Sequence, residues 1–209
     1  MKIKLKNITL WLIGINIAVF FIAFLLSLLN PNIFELIALN PADFAAGKNV
    51  WTIITSMFMH GGPSHLLLNM LSLMFLGGFL ERLIGSKRFL GIYMASGIIA
   101  NLFYVLAYLV FNTKSIPAVG ASGAIFGLAG MLAVLTPKMK IYIMLIPIAM
   151  PMWLGVTAML VLLWTLTLTL GLPIGNEAHL GGLLVGLAYA FYLRNKYPHR
   201  ARLIADHFS

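Results

Sequence analysis

GASGAIFGLAGMLAVL, residues 120–135, carries no charge and a single hydroxyl, Ser122, near its head, and behind it Gly123, Gly127 and Gly130 recur at spacings of four and three. Those spacings put small residues on one helical face, where a second backbone can approach closely. The rest of the chain says what surrounds such a helix. Of 209 residues 61% are hydrophobic and 9% charged, with a mean hydropathy of +0.99, well outside the range of a soluble domain. Lipid cannot hydrogen-bond the backbone, so spanning segments are helices or a closed barrel, and long uninterrupted apolar runs select helices. The expected fold class is an all-α integral membrane protein.

Outward from that stretch, the chain reads as one domain, residues 1–209, with six spans at about 8–29, 65–83, 89–111, 122–135, 152–170 and 179–193. The first run is uncharged and long enough to cross a core of ~30 Å at ~1.5 Å per residue. Lys2, Lys4 and Lys6 precede it, but the run exceeds a signal-peptide core, which predicts a retained helix. Residues 30–64 form a long outer loop punctuated by Asn30-Pro31, Asn40-Pro41 and Gly61-Gly62-Pro63 around apolar pieces too short to cross. Pro147 and Pro151 predict an interfacial lead-in before span five.

Charge supplies the orientation. With the N-terminus cytoplasmic, Lys2, Lys4, Lys6, Arg82, Lys87, Arg88, Lys138, Lys140, Arg194, Lys196, Arg200 and Arg202 lie inside, and only Lys48 and Lys114 lie outside. That asymmetry predicts both termini in the cytoplasm and a multi-pass protein of the cell membrane. The net charge of +9 is spread in short segments flanking apolar runs, which suits anionic headgroups and not nucleic acid. There is no cysteine, hence no disulfide, thiolate or sulfur metal site.

Spans two, four and six then all start at the outer surface, opened by His65, Ser122 and His179, with Asn69 one turn deeper than His65. Gly182 and Gly186 give span six a small-residue face that matches that of Gly123 and Gly127 on span four, and packing the two faces would join Ser122 to His179. A serine beside a histidine base is a nucleophile. Backbone N–H groups at the start of span four, around Gly120, Ala121 and Ser122, together with His65 and Asn69, could serve an oxyanion. Each residue also has a plainer reading: Ser122 as a helix cap, Asn69 as an interhelical bond, and His65 as a loop-end residue. His60 reads as an ordinary loop histidine, and Glu81 as a structural partner of Arg82 or a helix terminator. Glu177, two residues from His179, should not share its face, so a dyad is expected rather than a triad.

Gly120-Ala121-Ser122-Gly123, the run Ala178-His179-Leu180-Gly181-Gly182 with Gly186, and His65-Leu66-Leu67-Leu68-Asn69 resemble the signature motifs of rhomboid intramembrane serine proteases, in the same order and on the same helices. Gly77-Gly78 through Glu81 to Gly85-Ser86 resembles the inner end of that family's second helix. The resemblance implies Ser122 as nucleophile, His179 as general base, and His65, Asn69, Gly120 and Ala121 as oxyanion or substrate-positioning groups. It implies single-span transmembrane substrates cut near the outer face, a site open to the extracytoplasmic side, and no cofactor or metal. Two positions depart from it: Trp51 is followed by Thr52 rather than arginine, and Phe126 replaces a tyrosine, though its ring could still stack on His179. A zinc protease would need His-Glu-x-x-His and an aspartyl protease two membrane aspartates; the first is absent, and Asp43 and Asp206 lie outside the spans. The remaining alternatives are a small transporter or channel and an inactive rhomboid-like binding protein.

Overall fold

The computed structural model describes residues 7–143 and 146–208; Lys2, Lys4 and Lys6 lie outside the described residues. Helix α1 (Ile8–Leu29) ends at Asn30-Pro31, where proline cannot continue the helix. The outer loop is more ordered than its mixed sequence suggests, holding the short helices α2 (Ile33–Ile37), α3 (Pro41–Ala45) and α4 (Thr52–Thr55). Asn40 caps α3, its side-chain oxygen accepting from the N–H groups of Ala42 and Asp43 at 3.0 and 3.3 Å, with Pro41 pre-set at the first helical position. Helix α5 (Pro63–Ser72) continues through a π turn at Leu73–Gly77 into α6 (Gly78–Ile84) as one helical run.

Gly85, at φ 84, turns the chain into α7 (Ser86–Phe111). After a ten-residue connection comes α8 (Ser122–Leu135), then a two-stranded antiparallel hairpin of β1 (Lys140–Ile143) and β2 (Ile146–Pro151). Helices α9 (Met152–Leu170), α10 (Asn176–Lys196) and α11 (Pro198–His207) complete the chain. Three boundaries differ from the periodicity. The second helical run starts at Pro63, so His65 lies inside its first turn. Helix α7 starts at Ser86. Helix α10 starts at Asn176, whose side chain donates to Thr167 Oγ1 at 2.8 Å, which places His179 within its first turn rather than at its head. The lead-in to span five is the hairpin, with its prolines in the second strand.

Four helical runs, Ile8–Leu29, Pro63–Ile84, Ser86–Phe111 and Met152–Leu170, are long and apolar enough to cross a membrane. Their outward side chains are apolar: Leu29, Phe111 and Leu168 are 73–84% exposed, which suits lipid and not water. Helix α8 is the opposite case. All of its residues but Ser122 and Ala133 are buried, enclosed by α7, α9, α10 and the second helical run. A core helix wrapped by protein need not span the hydrocarbon itself, which explains why only 14 residues suffice there.

The Glu81 carboxylate, buried, bonds the start of α1 and not Arg82. It accepts from the N–H groups of Ile8 and Thr9 at 2.9 Å each, from Thr9 Oγ1 at 2.7 Å and from Ser86 Oγ at 2.6 Å. An anion at a helix N-terminus satisfies otherwise bare donors and favours the helix dipole. One side chain thereby ties α1 to α6 and α7. Glu81→Ala should cost about 3 kcal/mol, since it strands those donors, whereas Arg82→Gln at its exposed neighbour should change stability by less than about 0.5 kcal/mol. Thermal unfolding in one detergent compares the two; equal losses would refute the cap.

Candidate active site

Ser122 is the first residue of α8, and the approach to it is clamped by the outer loop. Leu39 and Ala118 form a two-bond antiparallel bridge at 3.0 and 2.8 Å, and Ser115 Oγ donates to Asn40 Oδ1 at 2.6 Å. The Gly120 N–H donates to the Ser56 carbonyl at 2.9 Å, while Asn101 of α7 donates from Nδ2 to Ser56 Oγ and to the Ile53 carbonyl, each at 2.9 Å. Within the loop, the Trp51 indole reaches the Leu36 carbonyl at 2.9 Å and Thr55 Oγ1 reaches that of Ile37 at 3.0 Å. These neutral bonds hold the loop around Trp51 and Thr52. Ser56 and Asn101 carry no periodic signal in one dimension; Asn40-Pro41 reads as punctuation, though not as a tether to Ser115.

Gly120 sits at φ 123, a conformation that side-chain-bearing residues rarely adopt. A Cβ there would also stand 2.9 and 3.0 Å from His65 Cε1 and Nε2, and 3.7 Å from Ser122 Oγ. The edge of the His65 ring therefore lies against Gly120, beside the serine. The Gly61 N–H points at His65 Nδ1 over a long 3.4 Å, which leaves Nδ1 as acceptor and the proton on Nε2, the nitrogen beside Gly120. Asn69, one turn on, is buried and donates to the His65 carbonyl at 2.9 Å; among the described residues it makes no hydrogen bond to Ser122 or His179. Ala121 is fully buried, and its carbonyl accepts from Ile125 to start the helix.

His179 Nε2 lies 2.8 Å from Ser122 Oγ. The imidazole is buried, its Nδ1 has no hydrogen-bond partner among the described residues, and Phe126 stacks on it with centroids 4.6 Å apart and planes 23° from parallel. Glycine makes this meeting possible. A Cβ on Gly182 would collide with the Gly123 carbonyl, and one on Gly186 with the Gly127 carbonyl. Gly130 similarly has the Leu183 carbonyl 2.7 Å from where its Cβ would be. Helices α8 and α10 thus touch backbone to backbone along three successive turns, which brings the fourth residue of α10 to the first residue of α8. Among the described residues no three His, Asp or Glu side chains converge as metal ligands would.

His60 is not the plain loop histidine its position suggested. It is 1% exposed, its ring stands edge-on to His65 with centroids 5.2 Å apart, and among the described residues neither nitrogen has a hydrogen-bond partner. Burial, and then the neighbouring His65 imidazole, pull its pKa from the usual 6.5 down to about 4; the nearby Phe58 backbone opposes this weakly. The neutral ring is what the fold holds, whereas the unfolded chain takes up a proton near 6.5. Stability therefore falls as pH drops from about 6.5 to about 4, and levels off below. His60→Phe should flatten that fall in thermal unfolding between these pH values; an unchanged slope would show that His60 does not cause it.

The Rhomboid domain family model matches residues 47–196. The chain is 32% identical to Rhomboid protein 1, mitochondrial, of Saccharomyces cerevisiae over 90% of its own length and 54% of that protein. It is 35% identical to Rhomboid protease GluP of Bacillus subtilis over 65% of its length and 24% of that protein. It is also 34% identical to Inactive RHOMBOID-like protein 8 of Arabidopsis thaliana over 75% of its length and 44% of that protein. The chain spans at most about half the length of these curated relatives.

Proposed function

The chain belongs to the rhomboid family, and from that premise we propose that it is an intramembrane serine endopeptidase working through a Ser122–His179 dyad. The observation that carries the reading is the 2.8 Å contact between His179 Nε2 and Ser122 Oγ inside a helical membrane core. In this reading α8 and α10 are two further crossings, which makes six. The charge distribution supports cytoplasmic termini and a site that opens to the extracytoplasmic side. Membrane protein substrates with one crossing would reach it from the lipid.

The chemistry follows from proton positions. His179 Nε2 accepts the Ser122 hydroxyl proton as Oγ attacks the scissile carbonyl carbon, so Nδ1 must carry the resting proton. Among the described residues no carboxylate bonds that Nδ1; orientation of the imidazole falls to Phe126, which stacks on its face. The carbonyl oxygen becomes an oxyanion, for which the backbone N–H groups at the head of α8 and the His65 Nε2–H beside Gly120 are donors. Collapse breaks the C–N bond, and the imidazolium returns its proton to the leaving amine. Water then adds to the Ser122 ester through the same base, releasing the new carboxyl terminus. Asn69 braces His65 through its carbonyl, and its second amide hydrogen is available to substrate.

One relative is named inactive, so activity itself is the test. In proteoliposomes with a tagged single-span reporter, Ser122→Ala should lower cleavage at least about 10⁴-fold while leaving thermal unfolding unchanged. His65→Ala should lower kcat by about 10²-fold, the cost of one oxyanion donor. Cleavage that survives Ser122→Ala would remove the nucleophile assignment. A wild-type chain that cuts no member of a reporter panel would favour the non-catalytic reading.

A further inference from the structure

A second polar cluster lies at the far end of the same helices. Lys196 closes α10, about 25 Å along the helix from His179. Its Nζ donates to the Tyr192 hydroxyl at 2.8 Å and lies 5.2 Å from the Tyr192 ring centre and 5.8 Å from that of Tyr197. Arg88, in the first turn of α7, puts its guanidinium carbon 5.9 Å from the same Tyr197 ring. Two exposed cations thus gather round one phenol, at the bend where α10 passes into α11.

Like charges brought together cost free energy, and cation–π attraction to two tyrosines offsets only part of it. An anion between them removes the remainder. The Tyr192 hydroxyl, whose oxygen already accepts from Lys196, has its own hydrogen left to donate. Four and eight residues back from Tyr192, on the same face of α10, the surface is apolar: Ala188 is exposed and Leu184 is 46% exposed. The surface is therefore two-layered, cationic and phenolic at the membrane edge and hydrocarbon just within.

We propose that Arg88, Lys196, Tyr192 and Tyr197 seat the phosphate of an anionic phospholipid, with an acyl chain lying along Ala188 and Leu184. A free phosphate ion would use the first layer alone. The site is separate from the Ser122–His179 pair and stands whether or not the chain cleaves peptides.

Native mass spectrometry of the detergent-purified full chain, offered equal phosphatidylglycerol and phosphatidylcholine, tests it. Phosphatidylglycerol should be retained roughly twentyfold more, the order that two surface cations supply. Arg88→Gln with Lys196→Gln should abolish the preference, and each alone should lower it about fivefold. Lys48→Gln with Lys114→Gln, the same charge removed elsewhere, should leave it intact. Millimolar inorganic phosphate should not displace the lipid. Equal retention of the two lipids by the wild type would overturn the proposal, as would full preference in the Arg88 and Lys196 variants or displacement by phosphate. Should the double variant not fold, the wild-type selectivity and the single variants decide.

Discussion

Direct backbone contact between α8 and α10 is the constraint from which the rest of the site follows. In lipid there is no hydrophobic force to drive two apolar helices together, so close approach and dispersion must do so. At Gly182 and Gly186 the facing carbonyls of Gly123 and Gly127 occupy the space a Cβ would need. Any side chain there would push the axes apart by about an ångström or more, since interiors packed at crystal density do not yield. A 2.8 Å contact at the end of those helices does not survive such a shift. The glycines set the chemistry by setting a distance.

The second constraint is polar and sits in the outer loop. Burying Ser56, Asn101, Asn69 and His60 is costly in an apolar protein unless the groups find partners. Asn101 donates to Ser56 Oγ and to the Ile53 carbonyl of the loop, and Asn69 to the His65 carbonyl of α5, while the Ser56 carbonyl holds the Gly120 N–H and so fixes the chain entering Ser122. His60 is the exception, and it is held neutral against His65. The clamp and the glycine seam address different atoms of one site: the first positions Gly120 and His65, the second positions His179.

Period and composition made the apolar helices legible, because a bilayer demands long uncharged runs; α1, α8 and α9 begin and end where the hydropathy does. The small-residue spacing of Gly123, Gly127, Gly182 and Gly186 likewise points to the α8–α10 seam from sequence alone. Starts set by tertiary bonds were not legible. Asn176 opens α10 with its side chain on Thr167, nine residues back, and the turn at Gly85 starts α7 at Ser86, ahead of the apolar run. Glu81 looked like a match for Arg82 since charge pairing is the nearest explanation in one dimension; in three, the N-terminus of α1 is the better partner. His60 was hidden for the same reason, as only the folded loop buries it.

The proposed dyad requires that the imidazole activate the hydroxyl at the α8–α10 junction, where the helices touch. Treating the protein in lipid with a fluorophosphonate and locating the adduct by peptide mass spectrometry measures this directly. One adduct is expected, on Ser122, absent in His179→Ala and strongly reduced in Gly186→Val although the latter alters no group at the dyad. An adduct on another residue, or full labelling of Ser122 in Gly186→Val with its fold intact, would contradict it.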